Sequence, residues 1–375
     1  MHPETLLLIV VVVAFAWNLG VHYTGAVMGM PYAAGAISLW PALALIAIFA
    51  LLGATLASGR VQLTVGEHII PASRVTVPEA TVIVFAAGLL TTLYNYRKVP
   101  TSTIQILVFC VVGAGLAAHL PVAWTTIWHL ALVWILAPFV ACGLGFAFTR
   151  VLDLVVPPAA AHARALAEVG AESGEQPEEL GGRNEIAAAW FPGVAQPVAP
   201  RIRLVAAEET RAPVAVTLLA LRLLPALLVA VGGAASFVMG ANDVSNATGA
   251  FIMTHLVSLT VAGLIGGVAI AVGALTWGER ILHTVAFDVV TMDLSMASAA
   301  QGVQALVVMV AVTQGFFTSM NQALIGAMAG TGLARGRETV KRKQLVGIFR
   351  DWLIGPVSGL ALAYVLATLV RLAGY

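Results

Sequence analysis

Residues 240–249 read Gly-Ala-Asn-Asp-Val-Ser-Asn-Ala-Thr-Gly, a polar stretch between the apolar segments 216–239 and 257–277. Each segment is near the roughly 20 residues that a helix needs to cross a bilayer. Asp243 is the only carboxylate between Glu209 and Glu279. Because a charge at membrane depth is costly, a functional role is the default expectation for this aspartate.

The glycines that bracket this stretch predict a helix broken around Asp243, since glycine lets the backbone unwind and expose amides and carbonyls to an ion. Asp243 and Ser245 are the candidates for a coupling-cation site, with sodium at Asp243 as one option. Asn242 and Asn246 are candidate substrate ligands. The alternative is a structural aspartate satisfied by neighbouring hydroxyls or by Arg222, but the polar cluster is too dense for packing alone.

The whole chain has the composition of a polytopic membrane protein. Of its 375 residues, 60% are hydrophobic and 10% are charged, whereas soluble domains have about 45–50% and about 25%. Aqueous enzymes, nucleic-acid-binding proteins and disordered chains are thereby excluded. The sequence has no phosphate-binding Gly-Lys loop, metal-ligand spacing or nucleophile triad, so we expect no enzyme and no cofactor. Cys110 and Cys142 lie in apolar segments and are expected to be free thiols.

The apolar segments predict an all-α membrane fold of two repeats with about five spans each. They lie at 6–17, 38–58, 79–96, 102–118 and 126–148, and again at 216–239, 257–277, 301–317, 321–334 and 350–372. We assign 1–150 to the first transmembrane repeat, 151–213 to a polar linker and 214–375 to the second repeat. Nine acids and six arginines between 150 and 213 indicate that the linker is solvated.

The basic residues indicate the orientation of the chain. If the N-terminus is outside, 15 of the 19 basic residues fall on one side, most of them in the linker and at 335–350. Three fall on the other side, namely Arg60, Arg74 and Arg371. Since positive loops stay in the cytoplasm, this asymmetry predicts a cytoplasmic linker and both termini outside. We expect a multi-pass protein of the plasma membrane, in contact with lipids.

The two halves are related by a nearly constant offset. Residues 11–20 align with 231–240 and 64–65 with 284–285 at an offset of 220, 113–116 with 330–333 at 217, and 134–138 with 352–356 at 218. An odd number of crossings in each half would insert the second half upside down relative to the first. Inverted repeats are typical of secondary transporters, which bind substrate at the repeat interface. A duplicated structural bundle without transport is the alternative.

The first-half counterpart of the polar stretch lacks the acid. His22 stands where the second half has Asn242, and Tyr23 stands where it has Asp243. His22 is either a proton carrier in the coupling-cation site or a neutral hydrogen-bonded residue. Tyr23 is a candidate substrate ligand.

A second pair of polar stretches also occupies equivalent positions in the two halves. Residues 100–105 align with 317–322, and each stretch begins an apolar helix. A helix start offers free amides and a positive dipole end, which suit an oxyanion. Plain N-capping is the alternative. The candidate substrate ligands at these two starts are Ser102, Thr103, Gln105, Ser319, Asn321 and Gln322.

The stretch at 240–247, with Pro-Thr-Ser-Thr at 100–103 and Gly-Ala-Gly-Leu at 113–116, resembles the signatures of the inorganic phosphate transporter family (PiT, or Pho4). The resemblance implies inverted repeats with broken or re-entrant helices, a homodimer, and cation-coupled uptake of a tetrahedral oxyanion. The family's binding motifs carry over to Asn242, Asp243, Asn246, Ser102, Thr103 and Ser319.

The departures from that family bear on the substrate. Tyr23 replaces one family aspartate, and Gln105 and Gln322 replace the family histidines. The first half, at 15–20 and 28–30, is more similar to the sulfate permease branch, the CysP type. We therefore expect a secondary symporter that imports sulfate, driven by protons or sodium.

The alternative within this class is a phosphate symporter. A passive anion channel is a rival of another class, but a channel should not retain Asp243, which repels anions. A non-transporting sensor would need a larger signalling domain than the linker provides.

Overall fold

The computed structural model describes residues 2–97, 101–155, 214–282, 292–336 and 342–374, and the described part is built of helices. The first half contains α1 (Pro3–Ala33), α2 (Leu39–Leu56), α3 (Gly59–Glu67), a 3-10 turn (Ala72–Arg74), α4 (Val77–Tyr96), α5 (Thr103–Ala117) and α6 (Trp124–Val155). The second half contains α7 (Val214–Met253), α8 (Leu259–Leu282), α9 (Leu294–Thr313), α10 (Met320–Arg335) and α11 (Arg342–Leu372).

Eight of the described helices are long and apolar enough to cross a bilayer. Their outer surface is apolar, with Trp40 exposed by 67% and Trp128 and Leu353 by 73% each, as expected for side chains that face lipid. The segments predicted at 102–118 and 321–334 form α5 and α10, which have 15 and 16 residues. These two helices are shorter than a full crossing.

The polar stretch at 240–249 lies inside α7, which is helical from Val214 to Met253. Its counterpart at 20–29 likewise lies inside α1. The predicted break around Asp243 is therefore wrong. In an apolar environment the helix satisfies its own backbone hydrogen bonds, and unwinding is tolerated only where other groups replace them.

The two halves interlock through reciprocal helix pairs. Helix α1 packs along α8, and α7 packs along α2; likewise α5 packs along α11, and α10 along α6. A Cβ at Gly20 would collide with the backbone of Ile270, and one at Gly240 would collide with that of Ala50. Gly240 is the counterpart of Gly20, and Ala50 is the counterpart of Ile270, each at the offset of 220. The same close contact therefore occurs twice, with the two halves exchanged. This reciprocity supports the predicted duplication, and the inverted orientation stays a prediction.

Parts of the sequence prediction fall outside the described residues. The linker does so from position 156 onward, as does the aligned pair at 284–285. The domain boundaries and the position of the linker therefore stay predictions.

Cys110 and Cys142 are free thiols, as expected.

Candidate substrate-binding site

The short helices α5 and α10 begin at the buried centre of the protein and face each other. Ser102 caps α5 by accepting from the Gln105 N–H, and Ser319 caps α10 by accepting from the Gln322 N–H, each at 3.3 Å. The Gln105 Nε2 donates to the Gln322 Oε1 at 3.4 Å. The first N–H groups of a helix have no carbonyl partner within it, so each start can offer backbone donors to an anion.

The polar face of α7 is fixed against the start of α10. The Asn242 Nδ2 donates to the Thr318 carbonyl at 2.9 Å, and the Thr318 N–H donates to the Asn242 Oδ1 at 3.2 Å. The Asn242 Nδ2 also lies 3.1 Å from the Asp243 Oδ2, and the Asn246 Nδ2 lies 3.3 Å from the Asp243 Oδ1. Both oxygens of the carboxylate therefore have an amide donor from its own helix.

Tyr23 joins α1 to this network. Its hydroxyl lies 2.6 Å from the Thr103 Oγ1, which also accepts from the Asn246 Nδ2 at 3.1 Å. The same hydroxyl interacts with Asp243. Tyr23 and Asp243 are equivalent positions at the offset of 220, as Gln105 and Gln322 are at 217. Equivalent positions of the two halves thus meet at the centre.

His22 reaches the same centre from the first half. The Asn321 Nδ2 lies 3.3 Å from the His22 Nε2 and donates to the Thr101 carbonyl at 2.8 Å. The His22 ring stands edge-on to Tyr23, with 4.6 Å between the ring centroids. His22 is therefore connected to Asp243 through Tyr23, and this arrangement is compatible with both of its predicted roles.

All the predicted site residues are buried, from 0% exposure for Tyr23 and Asp243 to 8% for His22. The structure brings eleven of the twelve together. Ser245 differs, because its hydroxyl donates to the Asn242 carbonyl of its own helix at 2.8 Å. Among the described residues we find no contact between the side chains of Ser245 and Asp243, which are two positions apart in the chain.

Several buried polar atoms at the centre lack a hydrogen-bond partner among the described residues, namely the Thr101 Oγ1, Gln105 Oε1, Asn246 Oδ1 and Thr318 Oγ1. Such an atom costs about 1–3 kcal/mol when it stays unpaired, so a bound ligand or water would stabilise this centre. Hard cations prefer oxygen ligands, and the carboxylate of Asp243 with the oxygens of Asn246 and Thr103 could supply them to a cation.

The sequence profile of the phosphate transporter family matches residues 19–363, which include every residue of this centre. The chain belongs to the phosphate transporter family. It is 23% identical to the sulfate permease CysP of Bacillus subtilis, over 96% of this chain and 86% of the permease. It is 26% identical to a putative phosphate permease of Pyrococcus abyssi, over 97% and 98% of the two chains.

The fold also matches a solved structure of a sodium-dependent phosphate transporter. The TM-score is 0.78 at 21% sequence identity, over 99% of this chain and 100% of that one. As a member of the phosphate transporter family, the protein is a multi-pass membrane transporter and not an enzyme. The predictions of family, all-α membrane fold and transporter class are thereby confirmed.

A polar face of α9 was not predicted. The Gln301 Nε2 donates to the Ala26 carbonyl at 3.1 Å, the Gln304 Nε2 donates to the Met320 carbonyl at 3.2 Å, and the two glutamine side chains hydrogen-bond to each other. Ser298 is buried on the same face. The spacing of three between these polar residues in an apolar segment was the signal that could have revealed it.

The predicted repeat accounts for the place of this face. Ala26 and Met320 are the counterparts of Asn246 and Thr103, which hydrogen-bond to each other across the two halves. Alanine and methionine side chains cannot form that bond. The glutamines of α9 instead supply the polar contacts on this side of the centre.

Proposed function

We propose that this transporter is a cation-coupled symporter that imports sulfate. The observation that carries the proposal is the meeting of two helix starts, at Ser102 and Ser319, beside the single carboxylate of Asp243. The starts supply donors for an anion, and the carboxylate supplies a place for a cation. The names of the relatives, a sulfate permease and a phosphate permease, support an inorganic oxyanion as the substrate.

Sulfate and phosphate have nearly the same size and shape, so a binding site can distinguish them only by the protons that the anion carries. Near pH 7 phosphate carries at least one proton and can donate a hydrogen bond, whereas sulfate can only accept. Tyr23 occupies the position where a second carboxylate would give phosphate an acceptor. Both oxygens of Asp243 already accept from amides. One mismatched buried group costs about 1–3 kcal/mol, or roughly tenfold to hundredfold in affinity.

Asp243 is assigned to the coupling cation. A buried carboxylate near a dianion is repulsive unless a cation neutralises it. We favour a proton over sodium for two reasons. A symmetric sodium site would need a second carboxylate, and Tyr23 occupies that position. His22, which could carry a proton, is next to Tyr23. The sodium-dependent transporter of the same fold supports sodium as the alternative.

Uptake of radiolabelled sulfate and phosphate into proteoliposomes, under imposed proton or sodium gradients, tests the function. We expect a proton gradient to drive accumulation of sulfate, and excess unlabelled phosphate to inhibit it less than excess sulfate does. Equal inhibition by the two anions would contradict the selectivity. Sulfate flux that no cation gradient can drive uphill would identify a channel.

Asp243→Asn is the decisive variant for coupling. Asparagine keeps the size and polarity of the side chain but cannot take up a proton, so gradient-driven accumulation should be lost while the thermal unfolding temperature stays close to that of the wild type. Ser245→Ala is the matched control, since its hydroxyl bonds only to its own helix, and it should accumulate sulfate normally. Accumulation by Asp243→Asn against a gradient would remove Asp243 from the coupling mechanism.

We place the protein in the plasma membrane, surrounded by lipids, with the linker in the cytoplasm and both termini outside. The unequal distribution of basic residues supports this orientation. A homodimer rests on the family resemblance.

A further inference from the structure

A cavity of about 340 Å³ lies at the end of the protein that carries Arg60, where α3, the start of α6 and the loop between α9 and α10 meet. Ligand pockets typically measure about 300–1,000 Å³, so this cavity has room for a small ion with its water. In the proposed orientation it opens to the outside. It is separate from the buried centre around Asp243.

The lining of the cavity is mixed, with apolar surface, including Leu63 and Phe316, around a small number of basic and polar residues. The basic and polar lining residues include Arg60, His68, His129, Thr64 and Thr126. None of the nine lining residues is acidic. The Thr64 hydroxyl already donates to a backbone carbonyl, so Arg60, Thr126 and the two histidines are among the side chains that can donate to an anion. Charge-assisted hydrogen bonds from a guanidinium to an oxyanion are among the strong ones.

Arg60 is held in place without being neutralised. Its Nη1 donates to the Thr313 carbonyl at 2.6 Å, and no carboxylate of the described residues lies within ion-pair distance of it. A guanidinium has five N–H donors, so donors beyond this one can face the cavity. Arg335, by contrast, is paired with Asp153 and Asp293.

Three of the lining residues, at 314–316, come just before the start of α10. Thr64 donates to the Gly315 carbonyl at 2.7 Å, and His129 stands edge-on to Phe316 at 6.5 Å between ring centroids. Phe316 is three residues before Ser319, which caps α10 at the buried centre. An anion in the cavity would therefore lie next to the segment that leads to that centre.

We propose that this cavity is an outer recruitment site for a dianionic tetrahedral oxyanion, held by Arg60 with His129 before it passes to the buried centre. The proposal rests on the proposed function in that sulfate is the ion transported. The cavity is partly open to solvent and presents donors, so it accepts either sulfate or the dianion of phosphate. Selection between the two then occurs only at the centre.

Protection of a cysteine in the cavity wall measures occupancy without transport. In the full-length protein in proteoliposomes, Thr126→Cys is labelled with an impermeant thiol reagent, and the unsubstituted protein gives the background from Cys142. Sulfate and phosphate should each slow the labelling severalfold, and gluconate should not. Arg60→Gln and His129→Gln should abolish protection, whereas Arg60→Lys should retain part of it. Arg74→Gln, which changes an exposed arginine outside the cavity, should leave protection unchanged.

Kinetics of uptake provide the second measurement. Arg60→Gln should raise the KM for external sulfate about tenfold, equivalent to about 1.4 kcal/mol, with little change in the maximal rate. An unchanged KM in Arg60→Gln, or labelling of Thr126→Cys that sulfate does not slow, would overturn the recruitment site.

The two proposals fail in different ways. Asp243→Asn combined with Thr126→Cys should lose accumulation of sulfate and keep its protection. If the wild-type protein accumulates no sulfate but sulfate still protects Thr126→Cys, the proposed function is wrong, and the cavity stands as an oxyanion-binding site without a role in sulfate transport. If the wild type accumulates sulfate without protection, the recruitment site is wrong and the function stands.

Discussion

The hydroxyl of Tyr23 lies 2.6 Å from the Thr103 Oγ1 and interacts with Asp243, so the phenol stands between the start of α5 and the carboxylate. An aspartate at position 23 would put a second acceptor at this point. Tyr23→Asp should lower sulfate uptake by about tenfold or more and admit phosphate, because a phosphate proton would then find an acceptor. Competition uptake with the two labelled anions measures the change.

Tyr23→Phe is the control for this substitution. It keeps the ring and removes only the hydroxyl, so it should weaken sulfate binding without making phosphate a substrate. If Tyr23→Asp still excludes phosphate while its unfolding temperature is unchanged, position 23 does not determine selectivity.

A shared site for the two helix starts and the two polar stretches was predictable from the sequence, because transporters built of repeats bind substrate at the repeat interface. The structure adds the individual contacts, which bring Gln105 to Gln322 and Tyr23 to Asp243. The direction of individual side chains was not predictable in this way. The hydroxyl of Ser245 bonds to its own helix, and the glutamines of α9 reach the centre from a mainly apolar segment.

Arg335 connects three helices at the end of α10. Its Nη2 lies 2.7 Å from the Asp153 Oδ1 of α6 and 3.0 Å from the Asp293 Oδ2 at the start of α9. The side chains are only 13–16% exposed. Removing one partner leaves poorly solvated carboxylates, so Arg335→Gln should destabilise the protein by about 1–3 kcal/mol. Thermal unfolding in detergent measures this loss.

Arg371→Gln is the matched control for that ion pair. Arg371 joins α11 to Glu79 of α4 at 3.6 Å, but its side chain is 41% exposed. Solvent screens this pair, so its loss should cost less than about 1 kcal/mol. Equal unfolding temperatures for the two variants would contradict a structural role for Arg335.

The apolar segments were enough to predict that the chain forms membrane helices. They did not predict that α1 and α7 continue as helices through their polar stretches. A glycine-bracketed polar stretch is compatible with an unwound backbone and also with a helix whose small residues allow close packing. Contacts with other helices decide between these outcomes. Gly20 and Gly240 each lie against the backbone of a helix from the opposite half, and a local sequence pattern does not identify such distant partners.

The orientation of the whole molecule determines which end of the protein faces the outside, and the charges of the loops predict it. The charge asymmetry predicts that position 175 in the linker is cytoplasmic and that the turn at Ala72–Arg74 is outside. In intact cells an impermeant thiol reagent should therefore label Ser73→Cys and leave Glu175→Cys unlabelled until the membrane is permeabilised. Cys110 is buried, and Cys142 is partly buried within α6, so the parent protein gives the background. Ser73 is exposed and does not line the cavity. It is therefore the matched labelling site for Glu175 on the other side of the membrane. Rapid labelling of Glu175→Cys in intact cells would invert the topology, and the cavity at Arg60 would then open to the cytoplasm.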